Sequence, residues 1–411
     1  MSTIKPLQGL RVLDFSWVWS GPLVTSILAE LGAEVIKVEH GQRLDNSRLR
    51  GRPLRDGKPV EGPSIETGPY YHQTNHGKLS ITINLKSPEA SGLLDRLVAE
   101  SDIVVENLSP GALSRAGLGY KRLSAISPRL IYLSMSAAGQ TGPLSGLKAY
   151  APIMSSYCGF ETLVGYPGEL AMGMMNFGYG DANAAVHGLI PLLAAIHEAQ
   201  DTGQGQHIDM SQIEALLSVI AEPQIDRFMN GRDALPMGNS HPAMAPHGIY
   251  PASGTDRWVS IAVADDTQWQ ALGGLIGRPA WAADTALATV QGRIARREAI
   301  DAALGAWTAG LEQAELVRRL REAGIACSPV QDIAAQWTDP HFDARRMRRD
   351  AVHPITGLER LYCAPWLMEE NGPDIHSSAP ILGADNERIF GGLLGIGPDE
   401  LARLKADDVL T

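Results

Sequence analysis

The sequence has few cysteines, and no two of them are close enough in the chain to form a CxxC motif. Cys158, Cys327 and Cys363 are the three cysteines among 411 residues, and no CxxC pair occurs. Their separation argues against a disulfide framework or a zinc knuckle and is typical of proteins in a reducing compartment. The opening residues also lack the basic start and apolar core of a secretory signal. We therefore expect a cytoplasmic protein.

Long apolar runs and an excess of positive charge are also absent. No stretch of about 18 apolar residues appears, so the sequence predicts no membrane span. Lysine and arginine total 35 against 46 acidic residues, for a formal net charge of −11. A surface of that sign repels phosphate backbones and anionic lipids, so neither nucleic-acid nor membrane partners are expected. Hydrophobic residues at 44% and charged residues at 20% are ordinary for a folded chain.

Motifs that would assign a chemistry directly are missing. The chain has no GxGxxG, no GxxxxGK followed by Ser or Thr, and no GxSxG. The standard dinucleotide, P-loop and serine-hydrolase patterns are therefore excluded. His241 and His247 stand in GNSHPAMAPHG, but no acidic ligand has matching spacing. We predict no metal site and no permanently bound cofactor.

Short β-branched runs alternate with helical patterns over the first 140 residues. Predicted strands lie at residues 9–15, 34–39, 102–107 and 129–136, and predicted helices lie at 22–31 and 87–100. A strand, a helix and a second strand that follow one another within a short segment form a βαβ unit, which requires a parallel sheet. The sequence thus predicts an α/β fold. The Gly/Pro/Arg-rich stretch at residues 40–74 is interpreted as a long functional loop.

The pattern of predicted secondary structure changes in the second half of the chain. A long apolar helix is predicted from Asp181 to about Gln200, with a kink at Pro191. After Gly231 the pattern favours a hairpin followed by three helices, which is typical of a small α+β domain. We predict a large domain over residues 1–220, a small α+β domain over 221–330, and a C-terminal segment over 331–411 that returns to the large domain.

Asp181 is the strongest candidate for a catalytic residue. An Asp that opens a helix is most often an N-cap whose carboxylate accepts backbone N–H bonds, and position alone favours that interpretation. The setting NFGYGD favours a ligand site, because Gly178 and Gly180 leave the backbone around Tyr179 open to a bulky ligand. A helix N-terminus is also expected to hold the carboxylate ionised, as a nucleophile requires.

Other candidates are the residues around Gly21-Pro22 and several cations. Trp17 and Trp19 either pack in the core or line a ligand loop at the carboxyl end of a strand, where open α/β sheets bind ligands. Cations in predicted loops or helix starts of the first domain are Arg43, Arg48, Lys78, Arg115 and Lys148. Each alone is typical of a solvated surface charge, whereas several at one sheet edge would form a phosphate site.

Taken in order, these segments resemble the type III CoA-transferases, a family that includes formyl-CoA transferase, carnitine CoA-transferase and the related α-methylacyl-CoA racemase. The resemblance is carried by LQGLRVLDFSWVWSGPLVTSILAELGAEVIKVE, NHGKLSITINLKSPE, DIVVENLSPGALSRAGLGY, YGDANAAVHGLIPLLAAIHEAQDTGQGQHIDMS and GNSHPAMAPHGIYPASG. It spans nearly the whole chain and ends near APILGADNERI. It implies a Rossmann-like large domain, a smaller domain, and two chains interlocked in a dimer.

The resemblance also implies a reaction. CoA would pass from an acyl-CoA donor to a carboxylic acid acceptor through aspartyl anhydride and aspartyl-CoA thioester intermediates on Asp181. CoA and its thioesters would be substrates and not resident cofactors. Residues that match CoA-binding positions of the family are Val18, Trp19, Arg43, Asn75, Lys78, Asn107, Leu108, Ser109, Arg115 and Lys148.

Two departures from the family pattern bear on the reaction. Trp19 stands where formyl-CoA transferase has a glutamine, which argues against a formyl or oxalate substrate and favours a larger, less polar acid. The stretch GLKAYA offers no histidine where the racemases carry a catalytic one, and racemisation needs acid/base groups on opposite faces of the α-carbon, one to remove the proton and one to return it. A transferase is therefore favoured over an acyl-CoA racemase or isomerase, and a subunit of a hetero-oligomeric transferase remains an alternative to a homodimer.

Overall fold

The computed structural model describes residues 4–51, 54–55, 58–59, 65–174, 178–277, 279–280 and 282–411. The strands are β1 (Arg11–Asp14), β2 (Glu34–Glu39), β3 (Leu54–Arg55), β4 (Lys58–Pro59), β5 (Leu79–Thr82), β6 (Ile103–Glu106), β7 (Ile131–Ser136), β8 (His207–Ser211), β9 (His247–Pro251), β10 (Trp258–Ala262), β11 (Ala326–Pro329), β12 (Arg348–His353) and β13 (Gly357–Tyr362).

The helices are α1 (Ser20–Glu30), α2 (Pro69–Asn75), α3 (Pro88–Ala99), α4 (Ala112–Arg115), α5 (Tyr120–Ile126), α6 (Ala151–Tyr157), α7 (Tyr179–Thr202), α8 (Gln212–Val219), α9 (Ala221–Asn230), α10 (Asp266–Leu275), α11 (Val290–Ala295), α12 (Arg297–Thr308), α13 (Gln313–Glu322), α14 (Ile333–Trp337), α15 (Pro340–Ala344) and α16 (Pro398–Ala406). A π-helix spans Glu387–Leu393, and 3-10 turns span Asn46–Leu49, Phe160–Leu163 and Thr285–Leu287. In the part of the chain that the structure describes, no helix is long and apolar enough to cross a membrane.

Six strands form one parallel sheet in the spatial order β5-β2-β1-β6-β7-β8. All neighbouring pairs in it are parallel. Counted along the chain within this sheet, the order is 3-2-1-4-5-6, the order of doubly wound nucleotide-binding folds. The winding direction changes between β1 and β6, which leaves a crevice at the carboxyl ends of these two strands. The predicted α/β fold with a parallel sheet is confirmed.

Apolar residues cover both faces of this sheet, as buried parallel strands require. Leu13 and Ile36 belong to the core on one face, where α3 and the C-terminal helix pack. Val12 and Val35 belong to the core on the other face, together with residues of α1 and α7. Successive side chains of a strand point to opposite faces, so β1 and β2 join the two cores. α1 and α7 therefore lie side by side on one face.

The ends of α1 and α7 differ from the predicted ones. α1 begins at Ser20 and so includes Pro22 in its first turn, where a missing N–H costs no helical hydrogen bond. α7 begins at Tyr179 with Gly178 at the N-cap position, contains Pro191, and ends at Thr202, followed by Gly203 with a left-handed φ of 73°. Asp181 therefore lies in the first turn of α7, and the N-cap interpretation of this residue is wrong.

The chain folds into two compact units. The first comprises Met1–Phe160, Met175–Ile225 and Pro340–Thr411, and the second comprises Glu161–Met174 and Asp226–Asp339. The C-terminal segment is tied into the first unit by backbone N–H groups of β5, because Ser80 and Thr82 donate to the side chains of Asp385 and Asn386. Phe390 of the same segment is fully buried in the core.

The second unit contains a three-stranded antiparallel sheet in the order β11-β10-β9. Val259 and Ile261 of β10 lie in its core with Trp269 of α10. The guanidinium of buried Arg293 lies 5.3 Å from the ring centroid of Trp269 and donates to Asp266 at 2.8 Å. Alternation of buried and exposed residues along β10 is typical of a sheet with one face on the core.

The predicted long loop at residues 40–74 contains regular structure. A 3-10 turn occupies Asn46–Leu49, and α2 begins at Pro69. β3 and β4 form a short antiparallel pair. Residues 52–53, 56–57 and 60–64 of this loop lie outside the described part of the chain.

Candidate active site

One side chain joins the loop after β1 to the end of β6. Asn107 accepts a hydrogen bond from the Trp17 N–H at 2.7 Å and donates to the Trp17 carbonyl at 2.8 Å and to Ser20 Oγ at 3.0 Å. Gly21 fits tightly here, since a Cβ at this position would lie 2.3 Å from the Cβ of Ser16. Because β1 and β6 flank the crevice, Asn107 fixes the loop that faces it.

The same loop is held in an unusual backbone conformation at Val18. Its φ is 68°, in the left-handed region that a β-branched residue rarely adopts. The Val18 N–H donates to the two carboxylate oxygens of Asp45 at 3.1 and 3.3 Å. Lys37 lies 3.2 Å from Asp45 and donates to the carbonyl of Ser16 at 2.7 Å. The fully buried Lys37–Asp45 pair thus stabilises the conformation of Val18.

A second buried ion pair lies beneath this loop. Lys78 donates to Asp14 at 2.9 Å, to the Pro22 carbonyl at 3.0 Å and to Asn75 Oδ1 at 2.9 Å. Burial lowers the pKa of Lys78 to about 8 against the opposing charge of Asp14. An ammonium has three N–H donors, and these contacts occupy all of them. The predicted CoA contacts of Asn75 and Lys78 stay predictions, and the structure gives both residues a role in supporting the loop.

Arg48 does not contribute to a phosphate site. It is fully buried and makes a bidentate contact with Glu39 at 2.9 and 2.7 Å. It also donates to Glu66 at 2.8 Å and to the Tyr71 hydroxyl at 2.7 Å. Burial works against its charge, but these partners hold the pKa of the guanidinium above its ordinary value. The interpretation of Arg48 as a solvated surface charge is wrong, because the residue is buried and two carboxylates compensate its charge.

Asp181 lies where two helices begin. Its carboxylate is near the backbone N–H of Ser20, the first residue of α1, and this N–H favours the ionised form. Burial raises the pKa of Asp181 to about 6, while the cation of Arg50 and the Ser20 N–H oppose that rise. Removal from water has a larger effect on this pKa than the charge and hydrogen-bond donor that favour the ionised form. The group is still mostly ionised at pH 7, and its raised pKa makes it more basic.

Aromatic side chains line the approach to Asp181. Trp19 lies against the backbone at Gly178, where a Cβ would lie 2.4 Å from Cζ3 of the indole. Tyr70 meets Trp19 edge to face, with ring centroids 5.7 Å apart. Burial, and then the charge of Asp181, raise the pKa of Tyr70 to about 12. Its hydroxyl therefore stays protonated. Trp19 is half-buried and lies outside the hydrophobic cores of the described residues, and its contact with a ligand stays a prediction.

The segment after β6 leads away from the crevice. Leu108 is half-buried against the core, and its N–H donates to Glu106 at 2.8 Å. Burial raises the pKa of Glu106 to about 7. Ser109 is exposed. Asn107 and Leu108 are thus fixed by hydrogen bonds, and Ser109 is open to a ligand.

The other predicted cations are exposed. Arg43 lies 5.3 Å from the ring centroid of Trp17. Arg115, at the end of α4, donates to the Pro110 carbonyl at 3.2 Å. Lys148 is exposed in the segment that precedes α6. The structure places Arg43 against the loop that follows β1, while Arg115 and Lys148 lie on separate segments.

Several residues of the site were missed by sequence reasoning. They are Ser20, Asp45, Arg50 and Tyr70. Ser20 acts through its backbone N–H, which no side-chain motif reports. Asp45, Arg50 and Tyr70 fall in the predicted functional loop at residues 40–74, and its arginine content was the available signal. Tyr70 and Asp45 reach the site only because α2 and the 3-10 turn fold back beside β1.

One described group of side chains has the composition of a metal site. Ligand atoms of His72, His353 and Glu359 all lie within 4.8 Å of one another. His72 contacts Glu359 at 2.5 Å and the Glu66 carbonyl at 3.0 Å. His353 Nδ1 accepts from the N–H groups of residues 355 and 356, so its proton resides on Nε2, the atom that a metal would need. Hydrogen bonds account for His72 and for one oxygen of Glu359, whereas Nε2 of His353 and the second oxygen of Glu359 are buried without a hydrogen-bond partner among the described residues. The expected absence of a metal site stays a prediction.

With this geometry in place, comparison with known proteins is decisive. Residues 7–386 match CoA-transferase family III. The chain belongs to this family. The succinate–glutarate CoA-transferase of Agrobacterium fabrum is 32% identical over 84% of this chain and 85% of its own length. The alpha subunit of the succinyl-CoA–L-malate CoA-transferase of Chloroflexus aurantiacus is 31% identical over 98% of this chain and 92% of its own length.

A solved structure shows the same fold. The crystal structure of a CAIB/BAIF family protein from Brucella suis aligns with a TM-score of 0.84 at 31% identity, over 95% of this chain and 99% of that one. The predicted family is therefore confirmed. As a member of CoA-transferase family III, the chain is an enzyme, and its substrates are CoA thioesters.

Proposed function

We propose that this enzyme transfers CoA from an acyl-CoA to a carboxylic acid, with Asp181 as the nucleophile. The observation that carries the proposal is the environment of the Asp181 carboxylate, whose ionised form is favoured by the backbone N–H of Ser20 and by the charge of Arg50. The carboxylate is half-buried in the first turn of α7 and is mostly ionised at neutral pH. A carboxylate suits the reaction because its acyl derivatives retain the energy of the thioester.

The reaction proceeds in two matched halves. An oxygen of Asp181 attacks the donor carbonyl, the C–S bond breaks, and CoA leaves as thiolate from an aspartyl anhydride. The thiolate attacks the aspartyl carbonyl, which gives an aspartyl-CoA thioester and releases the donor acid. The acceptor carboxylate then attacks the thioester and expels the thiolate, which takes the acyl group from the second anhydride. Each oxyanion forms where the N-termini of α1 and α7 supply N–H donors and positive dipole ends.

CoA is proposed to bind along the carboxyl edge of the sheet. Ser109 and the loop of Val18 and Trp19 line this edge, with Asn107 and Leu108 fixing its shape. Exposed cations for the phosphates are Arg43, Arg115 and Lys148. Asn75 and Lys78 support the loop from below. In this arrangement the phosphates would pair with the exposed cations, whose charge no carboxylate among the described residues compensates.

The proposed acids are dicarboxylic acids of four or five carbons. The relatives named above act, by name, on succinate, glutarate and L-malate, all of which carry two carboxylates. The size of these acids agrees with the larger acid that Trp19 favours, but their second carboxylate does not match the expectation of a less polar acid. Succinyl-CoA is the donor that we would test first.

The enzyme is proposed to act as a homodimer. Val186, Ile190 and Leu193 of α7 are 51%, 62% and 37% exposed. Their spacing places them on one face of the helix, and an exposed apolar stripe of this kind is typical of an interface. Light scattering of the purified chain tests this, with Ile190→Glu expected to yield monomers. A monomer that becomes active only with a second, related chain would favour a hetero-oligomer.

Trapping of the intermediate tests the function. Purified enzyme is incubated with succinyl-CoA, treated with hydroxylamine, digested and mapped by mass spectrometry. We expect a hydroxamate on Asp181 that requires the donor and is absent in Asp181→Asn. Label on another residue, or label that persists in the variant, would refute the nucleophile. Deuterium incorporation at the α-carbon without any adduct would instead indicate an isomerase.

A further inference from the structure

Arg50 carries an exposed positive charge that acts on the carboxylate of Asp181. We propose that Arg50 binds the second carboxylate of a dicarboxylic acid whose first carboxylate reacts at Asp181. This inference rests on the proposed function of Asp181 and names the residue that selects its substrates. It requires that Arg50 be fixed in place, be near Asp181, and have donors to spare.

Arg50 is exposed yet held by an aromatic neighbour. Its guanidinium lies 5.4 Å from the ring centroid of Tyr70 and makes a hydrogen bond with the Tyr70 hydroxyl. Tyr70 is in turn held edge to face against Trp19. A cation stacked on an aromatic ring keeps its edge free for a planar anion, and a guanidinium offers five N–H donors in a fork that matches a carboxylate.

Other cations near the loop are already committed. Lys37 contacts Asp45, and Lys78 contacts Asp14, in fully buried pairs. Arg48 is fully buried between Glu39 and Glu66. Arg50 differs because it is solvent-exposed and because its charge acts on Asp181 itself. It is therefore the cation of this group that an incoming acid can reach.

The charge balance of the reaction supplies a reason for a second carboxylate. In the resting enzyme the charge of Arg50 faces the negative charge of Asp181. Once Asp181 is a thioester, that negative charge is gone and Arg50 is uncompensated. A dicarboxylate restores the balance: one carboxylate oxygen bonds to the aspartyl carbonyl carbon as the C–S bond breaks and the thiolate leaves. The other carboxylate keeps its charge and pairs with Arg50.

The test compares two acceptors that differ in one carboxylate. We would measure kcat/KM for succinate and for butyrate with wild type, Arg50→Gln and Arg50→Lys at about pH 9, where Asp181 is ionised in every variant. A charge-assisted hydrogen bond of this kind corresponds to roughly a 10- to 100-fold effect. We expect Arg50→Gln to lose that factor with succinate and to change by less than about 3-fold with butyrate, and Arg50→Lys to lose less with succinate. Exposed Arg388, which contacts Glu34 at 3.0 Å, provides the control Arg388→Gln with no effect.

Two readouts separate this inference from the proposed function. Acetyl-CoA, whose acid has a single carboxylate, is expected to label Asp181 in wild type and in Arg50→Gln at about pH 9, where the carboxylate is ionised in both, as a check that the variant folds and reacts. An unchanged kcat/KM for succinate, or an equal loss with butyrate, would overturn the role of Arg50 while leaving Asp181 as the nucleophile. Absence of the Asp181 adduct in wild type would instead remove the proposed function and, with it, this inference.

Discussion

Cations that look alike in the sequence divide into two sets in the structure. Lys37, Arg48 and Lys78 form a buried set, in which each contacts one or two carboxylates. Arg43, Arg50, Arg115 and Lys148 form an exposed set. The buried set supports the loop that shapes the crevice, and the exposed set remains available to anionic ligands. Charge alone therefore does not indicate ligand binding, since burial decides whether the charge is already used.

The largest effect on stability is expected from the buried set. Lys78→Met removes the cation beside Asp14 and leaves a fully buried carboxylate without its partner. We expect the free energy of unfolding to fall by about 3–5 kcal/mol, measured by urea denaturation. Adding Asp14→Asn should recover part of this loss, because the unpaired charge is then removed. A loss below about 1 kcal/mol would place Lys78 with the exposed set.

The second pair should affect stability and catalysis together. Asp45→Asn keeps the shape of the side chain but leaves Lys37 unpaired and weakens the contact with the Val18 N–H. We expect a loss of about 2–3 kcal/mol in the free energy of unfolding and a lower kcat, since Val18 lies two residues before the Ser20 N–H. The matched control is Asp95→Asn, which breaks the exposed pair with Arg122. It should cost under about 1 kcal/mol.

Substitution of Asp181 should increase the stability of the protein, whereas the substitutions in the buried ion pairs decrease it. Its pKa is raised to about 6, so the folded state favours the protonated form. The cost of ionising it in the folded state is therefore present at high pH and disappears below the unfolded pKa. We expect the free energy of unfolding of Asp181→Asn to exceed that of wild type by about 1 kcal/mol at pH 8 and to equal it near pH 3. Lower stability at pH 8 would contradict this.

The same pKa predicts a pH dependence of activity. The nucleophile must be ionised, so kcat/KM of wild type should fall tenfold per pH unit below about 6. Arg50→Gln removes the cation that lowers this pKa, so its acid limb should move to higher pH. Arg388→Gln should leave the limb in place. If the acid limb of kcat/KM lay at the same pH in Arg50→Gln as in wild type, the charge of Arg50 would not act on Asp181.

The smallest effect on stability is expected from the exposed set. Arg115→Gln should change the free energy of unfolding by less than about 0.5 kcal/mol. If Arg115 contacts a CoA phosphate, KM for the acyl-CoA should rise about 3- to 10-fold at low salt, with a smaller rise at high salt. The KM values at two ionic strengths test this. A KM unchanged at both would remove Arg115 from the CoA site.

The sequence predicted the parallel sheet because its strands are short, β-branched and separated by helices. It also singled out the segment around Asp181 and the loop after β1, since motifs there resemble those of the family. The sequence predicted that α7 begins at Asp181, two residues after its start at Tyr179, because Tyr and Gly have low helix propensity. The position of Asp45, Arg50 and Tyr70 was not predictable, since nothing periodic marks the segment from residue 40 to 74.

The sequence by itself determined the fold class, the family and the identity of the candidate nucleophile. Local composition and motif order are sufficient for these, because they depend on residues near one another in the chain. Only the tertiary structure decided the pKa of Asp181, the burial of Arg48 and Lys78, and the placement of Arg50 beside the carboxylate. These depend on which distant segments exclude water and which charges they bring together, and hydration and Coulomb energies follow distance in space, not along the chain.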